Sequence, residues 1–109
     1  MIKLVYCITR RPGMSVDEFQ RYWREVHGPI AARTPGLRRY VQSHVLPETY
    51  AGERTPAYDG VAELWFDSLE AWEEARRSHE VRANIEDERN FIDHTHVFAI
   101  LVEEKPVVE

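Results

Sequence analysis

The order of strand-like and helix-like segments is the feature that most limits what this chain can fold into. Runs rich in β-branched and aromatic residues are predicted strands, and amphipathic runs of helical period are predicted helices. They follow one another as β-α-β-β-α-β, which is typical of ferredoxin-like α+β folds with both helices on one face of a four-stranded antiparallel sheet. The predicted segments are a strand over Ile2–Thr9, a helix from Ser15, a strand over Leu37–Leu46, a strand from Gly60 to Phe66, a helical region from Asp67 or Ser68 to Phe91 that breaks near Ser78, and a strand over His96–Val102.

The first helix has its start and stop signals in the sequence. Ser15 and Glu18 have the spacing of a capping box, and Gly28 followed by Pro29 predicts that the helix ends there. Apolar side chains recur at spacings of three and four residues between these signals. They predict one buried stripe, made of Phe19, Tyr22, Trp23 and Val26.

His27 lies at the edge of this stripe, about 80° from its centre at 100° per residue. A titratable side chain at this position stands where a buried surface opens to solvent, which favours a functional site. The alternative is that His27 is favoured near a helix C-terminus because its cation interacts well with the helix dipole. The helix alone does not choose between these interpretations.

Both faces of the predicted sheet are apolar. A sheet with one face in water should carry polar residues at alternate positions, and two helices can cover only one face. Since monomers rarely leave so large an apolar patch exposed, we expect a homodimer whose sheets pack against each other about a two-fold axis. In the first strand the alternate sets are Ile2, Leu4, Tyr6 and Ile8 against Val5, Cys7 and Thr9, and in the last they are Phe98, Ile100 and Val102 against Val97, Ala99 and Leu101.

A few polar residues interrupt these apolar strands. Tyr40, Gln42 and His44 alternate in the second strand and therefore share a face, while Glu63 stands on an otherwise apolar face of the third. If the register brings His44 and Glu63 together, the pair would form a tuned general base. The alternatives are that His44 is a rim residue of an edge strand and that Glu63 is the ion-pair partner of an arginine.

Length and charge exclude several classes of protein. The chain has 109 residues, which predicts one domain over residues 1–104 and a polar tail over 105–109. A net charge of −5, with arginines interleaved among carboxylates, argues against a nucleic-acid partner. The sequence has no apolar run long enough to cross a membrane and no secretory leader pattern, so we expect a cytoplasmic protein without a membrane partner.

Motifs for cofactors are also missing. The sequence contains no Gly-rich phosphate loop, dinucleotide fingerprint or nucleophile elbow. His94 and His96 have the spacing of two metal ligands on a strand, but nothing nearby in sequence supplies a third ligand. We therefore expect neither a metal nor another cofactor, and any chemistry must depend on histidines, tyrosines and carboxylates around a cavity.

Several segments together resemble the EthD family, whose members belong to the dimeric α/β-barrel superfamily. They are the opening strand Ile2–Tyr6, the helix pattern Phe19-x-x-Tyr22-Trp23-x-x-x-His27-Gly28-Pro29, the strand Tyr40–His44, the segment Tyr58–Asp67 and the late segment Glu86–Asp93. The resemblance covers nearly the whole chain. It implies a dimeric ferredoxin-like fold and marks His27 and His44 as candidate functional positions. Relatives in the superfamily include cofactor-free monooxygenases, isomerases and polyketide cyclases or dehydratases, and fold does not choose among them.

Two functions are compatible with these observations. In the first, the chain is a cofactor-independent oxidoreductase, isomerase or dehydratase that acts on a small aromatic or polyketide-like molecule in an oxidative pathway. His27 and His44 are then its candidate catalytic residues. In the second, the chain is a ligand-binding accessory protein of an oxygenase system, and the histidines only orient the ligand. The predicted substrate-binding residues are Trp23, Tyr40, Gln42, Glu63, Trp65 and Tyr6.

Overall fold

A computed structural model describes residues 1–108 of the chain, with a four-stranded antiparallel sheet in the order β2-β3-β1-β4. The predicted fold class is confirmed, because both helical regions lie on one face of this sheet in the ferredoxin-like order. No helix of the described residues is both long enough and apolar enough to span a membrane. The elements are β1 (Ile2–Ile8), α1 (Val16–Tyr22), a π-helical turn (Trp23–His27), α2 (Gly28–Ala31), β2 (Leu37–His44), a 3-10 helix (Pro47–Ala51), β3 (Gly60–Phe66), α3 (Leu69–Ala75), α4 (His79–Glu88) and β4 (Phe98–Val102).

The first helix begins as predicted and continues further than predicted. The Ser15 hydroxyl accepts from the Glu18 amide, and the Glu18 carboxylate accepts from the Ser15 amide, so the capping box is present. The helix does not end at Gly28. The Gly28 amide donates to the Trp23 carbonyl five residues earlier, and the wider turn passes directly into α2. Pro29 is the second residue of α2, and because it has no N–H the continuous helix lacks one backbone hydrogen bond there.

The π-helical turn also changes which residues are buried. The buried side chains Phe19, Trp23, His27 and Ala31 are four residues apart, whereas Val26 of the predicted stripe is exposed. In a regular α-helix a spacing of four drifts by about 40° at each step. Because a π-helical turn closes its hydrogen bond over five residues, it advances more slowly and keeps His27 on the buried face.

Strand register assigns the two faces of the sheet. Residues directly opposite in antiparallel strands share a face, and Leu64 lies opposite both Leu4 and Tyr40. We call the face that contacts the helices the inner side of the sheet, and it supplies much of the core. Its buried neighbours come from both helical regions and include Phe19, Trp23, Ala75 and Phe91.

The opposite face, here called the outer side, consists of Lys3, Val5, Cys7, Arg39, Val41, Ser43, Val61, Glu63, Trp65, Phe98, Ile100 and Val102. No element of the described chain covers it. Phe98 and Ile100 are 52% and 44% exposed there, which is high for large apolar side chains. Beyond β4, residues 103–108 contain no helix or strand. The last residue of the predicted tail, 109, lies outside the described residues.

The register separates His44 from Glu63. His44 lies opposite Gly60 on the inner side, while Glu63 lies opposite Val41 on the outer side. The pairing that the sequence left open is therefore not formed, because Gly60 and Glu63 stand three positions apart along β3 and side chains alternate between faces.

Candidate functional site

A cavity of about 370 Å³ lies between the inner side of the sheet and the helices. Its walls are mostly apolar, with a small number of polar side chains that face it, as is usual for small-molecule sites. The lining residues from the sheet include Leu4, Tyr6, Tyr40, Ala62 and Leu64, and those from the helical regions and loops include Trp23, His27, Thr34, Trp72, Asn84, Ile85, Glu88 and His94.

His27 is buried in the wall of this cavity, with 4% of its surface exposed. Its ring packs on Phe91 with a centroid distance of 4.6 Å, and its Nδ1 lies 2.8 Å from Oδ2 of Asp87. Because a carboxylate only accepts hydrogen bonds, Nδ1 carries the proton in the neutral ring. Nε2 has no hydrogen-bond partner among residues 1–108 and is the nitrogen left for a ligand.

Asp87 is fixed by two further donors. Tyr22 donates its hydroxyl to Oδ1 at 2.6 Å, and the Asn90 amide donates to the same oxygen at 3.1 Å. Burial acts to raise the pKa of Asp87, but the hydrogen bonds from Tyr22, His27 and Asn90 outweigh it and hold the pKa below its ordinary value. Asp87 is therefore ionised near neutral pH and orients the His27 ring.

A second hydrogen-bonded chain runs along β2. His44 Nε2 lies 2.8 Å from Oε1 of Gln42, and the Gln42 amide donates to the Tyr40 hydroxyl at 2.8 Å and to the Trp23 carbonyl at 2.9 Å. Since the Tyr40 oxygen accepts this bond, its own proton remains available to a ligand in the cavity. Burial raises the pKa of Tyr40, so the phenol stays protonated.

His44 itself does not line the cavity. Its ring stacks on the Trp23 ring with a centroid distance of 4.4 Å, and Trp23 in turn lines the cavity wall. Burial, with a smaller contribution from Arg24, lowers the pKa of His44. Of the two predicted catalytic histidines, only His27 therefore faces the cavity, and His44 reaches it through Gln42 and Trp23.

Comparison with known proteins identifies the family. A model described as the EthD domain matches residues 11–95, which is more than half of the chain. The chain belongs to the EthD family. No curated protein sequence matches this EthD chain.

Three solved structures show how widely the EthD fold is shared. An ethyl tert-butyl ether D (EthD) family protein from Bacillus halodurans is 23% identical, with a TM-score of 0.76 over 96% of this chain and 99% of its own. SnoaB, a cofactor-independent oxygenase from Streptomyces nogalater, is 15% identical, with a TM-score of 0.65 over 98% and 95%. A dimeric ferredoxin-like protein from Thermobifida fusca is 14% identical, with a TM-score of 0.69 over 93% and 88%. At these identities the likeness concerns the fold.

The remaining predicted binding residues of the EthD chain divide between the two sides of the sheet. Tyr6 lines the cavity with Trp23 and Tyr40, and Gln42 holds the Tyr40 hydroxyl. Glu63 and Trp65 lie on the outer side and do not meet the cavity. Glu63 forms an ion pair with Lys3 at 2.7 Å, so its partner is a lysine rather than an arginine.

Sequence reasoning missed the polar residues that α4 brings to the cavity. Glu88 is buried and its Oε1 accepts from the Tyr6 hydroxyl at 3.2 Å and lies 2.9 Å from Nε2 of His94. Burial and the nearby Glu88 raise the pKa of Tyr6, which remains a donor. The helical spacing of Val81, Asn84, Ile85 and Glu88 was a signal that these residues share one face.

The histidines with metal-ligand spacing are used separately. His94 contacts Glu88, whereas His96 stacks on Tyr58 with a centroid distance of 4.7 Å and lies 2.9 Å from the Ala57 carbonyl. Within residues 1–108, no three His, Cys, Asp or Glu side chains are placed to hold a metal ion.

Proposed function

We propose that this EthD protein is an enzyme that moves a proton on a small hydrophobic molecule, aromatic or polyketide-like, and that His27 is its general base. The observation that carries this proposal is the placement of His27, whose Nδ1 is held by Asp87 and whose ring faces an apolar cavity. An imidazole oriented by a carboxylate through one nitrogen can exchange protons through the other.

The proton transfer starts at an acidic C–H or O–H group of the ligand. His27 Nε2 takes the proton, and the ionised Asp87 stabilises the imidazolium that forms. Tyr40 donates its hydroxyl to the oxygen on which negative charge develops, and the apolar walls strengthen this bond by excluding water. His44 is a positioning residue in this scheme, since it acts on the ligand only through Gln42 and Tyr40.

The type of overall reaction depends on the fate of the deprotonated ligand. One positioned histidine contributes about 10²–10⁴-fold to a rate, which is enough for enolisation, isomerisation or dehydration of an activated ring compound. The same step makes an electron-rich phenol reactive toward dioxygen without metal or flavin. The likeness to the cofactor-independent oxygenase SnoaB supports oxidation as one of the possible overall reactions. We therefore propose chemistry without a cofactor on an intermediate of an oxidative pathway.

Proton exchange on a simple ketone tests the proposal. 1-Tetralone is bicyclic, apolar and acidic at the carbon beside its carbonyl, and deuterium uptake at that carbon in D₂O is measured by NMR. We expect the wild-type protein to speed exchange and the His27→Gln variant to lose roughly 10²-fold of that rate. Binding of 1-tetralone without faster exchange would contradict the enzyme and favour the ligand-binding accessory protein.

We also propose that the protein is a cytoplasmic homodimer in which the outer sides of two sheets face each other. The exposed Phe98 and Ile100 on an uncovered sheet face support this assembly, because monomers rarely leave such a surface in water. The solved relative from Thermobifida fusca is described as dimeric. The single cysteine, Cys7, lies on this side as a free thiol. A stable monomer at micromolar concentration in sedimentation would contradict the dimer.

A further inference from the structure

The wall that α4 gives to the cavity contains two polar side chains in an apolar stripe. Val81, Asn84, Ile85 and Glu88 all line the cavity and follow one another at helical spacing. Asn84 and Glu88 are four residues apart, so their side chains are neighbours on the same helix face. The proposed deprotonation by His27 uses neither of them.

Asn84 has an open hydrogen-bond acceptor. Its Oδ1 is buried and has no partner in the part of the chain that the structure describes. Buried side-chain oxygens are nearly always hydrogen-bonded, and leaving one unpaired is costly. Thr34, another polar residue of the same cavity, differs in this respect because its hydroxyl donates to the Ala31 carbonyl at 2.7 Å.

Glu88 offers a second acceptor one turn away. Both of its protein partners, Tyr6 and His94, contact Oε1. Over residues 1–108, its Oε2 has no hydrogen-bond partner. Asn84 Oδ1 and Glu88 Oε2 are both acceptors without a partner in the described chain, and they fit a ligand group that donates hydrogen bonds.

We infer that Asn84 and Glu88 form a subsite that recognises a hydroxyl group on the ligand. The subsite rests on the proposed function, because it assigns the same cavity as the binding site. A neutral hydroxyl suits it, since Asn84 Oδ1 is uncharged, the surrounding walls are apolar, and a hydroxyl satisfies the acceptor without burying another charge. The proposed substrates are therefore hydroxylated ring compounds, such as phenols. The hydroxyl group that this subsite binds is a different group from the one that His27 deprotonates.

A pair of matched probes tests this subsite by isothermal titration calorimetry. 2-Naphthol and 2-methoxynaphthalene share one apolar frame, but only the first donates a hydrogen bond. We expect the wild-type protein to bind 2-naphthol about tenfold more tightly, since an unpaired buried acceptor is left when the donor is absent.

Three variants assign the preference to Asn84. Asn84→Leu, similar in size and without polar atoms, should reduce the preference for 2-naphthol to the part that Glu88 supplies, with the affinity for 2-methoxynaphthalene kept or increased. Asn84→Ala also removes the amide and is smaller than the native side chain, so it is used in place of Asn84→Leu if the leucine variant does not fold. Thr34→Val is the control, because it removes a cavity hydroxyl that already has a partner, and it should keep the preference for 2-naphthol.

The outcomes separate this inference from the proposed function. Equal affinity of the wild-type protein for both probes would overturn the subsite and leave the cavity as a binding site. A preference of undiminished size in the Asn84 variants would overturn it as well. If neither probe binds the wild-type protein, the proposed function fails and the subsite fails with it.

Discussion

The inner and outer sides of the sheet can be compared strand by strand, because each strand gives alternate residues to both. On the outer side the polar groups pair with one another: Lys3 contacts Glu63 at 2.7 Å, and Trp65 Nε1 donates to Glu104 at 2.7 Å. Arg39 stacks over the Trp65 ring at 4.6 Å. On the inner side and its facing helices, polar atoms of His27 and Asn84 remain open toward a cavity.

This difference shows why polar residues in a strand are weak guides to a site. Glu63 looks functional in the sequence because it interrupts an apolar pattern, yet its charge is matched by a neighbouring lysine on the same face. The place of His27 at a helix end left a purely structural interpretation open, yet the residue is buried with one nitrogen open. The useful distinction is between polar groups that satisfy one another and polar groups that lack a partner.

The largest expected effect on stability comes from placing a lysine on the inner rather than the outer side of β1. Leu4 packs against the core and lines the cavity, so Leu4→Lys should lower the free energy of unfolding by about 3 kcal/mol through an unpaired charge. Val5 lies on the outer side, so Val5→Lys should change the stability of the protomer by less than about 1 kcal/mol while it dissociates the dimer. Urea unfolding at two protein concentrations and sedimentation distinguish these effects. A dimeric Val5→Lys protein would reverse the assignment of the interface.

The next effect concerns a close approach between sheet and helix on the inner side. A Cβ at Gly60 would fall far inside van der Waals contact with Cζ3 of Trp23. Gly60→Ala should displace Trp23, with its stacked His44, and cost about 2 kcal/mol in free energy of unfolding. Gly52→Ala is the matched control, because its Cβ would meet only the Thr49 carbonyl at 3.4 Å. Equal unfolding midpoints and tryptophan fluorescence for the two variants would contradict this contact.

The order of elements along the chain, the alternate sets of side chains in each strand and the capping box were predictable because they depend on local sequence. The alternation in β1 and β3 separates the two sets of side chains without knowledge of the fold, although only helix packing decides which set is inner. His27 was placed at a stripe edge because the sequence pattern assumes a regular α-helix, whereas the π-helical turn rotates it inward. Its partner Asp87 is 60 residues away in sequence, and no local pattern can join residues so far apart.

A smaller effect tests the carboxylate that holds His27. The pKa of Asp87 is lowered from 3.8 by its hydrogen bonds in the folded protein, so its ionised form stabilises the fold above that pH. This contribution is lost as the pH falls through 3.8 toward the lower folded-state pKa. Asp87→Asn should cost about 1–2 kcal/mol at neutral pH, from the loss of charge-assisted hydrogen bonds, and should unfold with a weaker dependence on pH below about 5. Identical pH profiles of stability for the two proteins would contradict the role of Asp87.

The smallest effect belongs to the outer side, where Glu63 was predicted to bind substrate. Glu63→Gln keeps the size of the side chain and removes its charge, so it should cost at most about 1 kcal/mol in free energy of unfolding. The pKa of Lys3, which is raised chiefly by its hydrogen bond to Glu63, should fall toward its ordinary value. Deuterium exchange on 1-tetralone should be unchanged, because Glu63 lies on the side of the sheet away from the cavity. Glu88→Gln is the comparison from the inner side and should weaken 2-naphthol binding. If Glu63→Gln weakened 2-naphthol binding as much as Glu88→Gln does, a residue of the outer side would affect the cavity, and the division of roles between the two sides would be wrong.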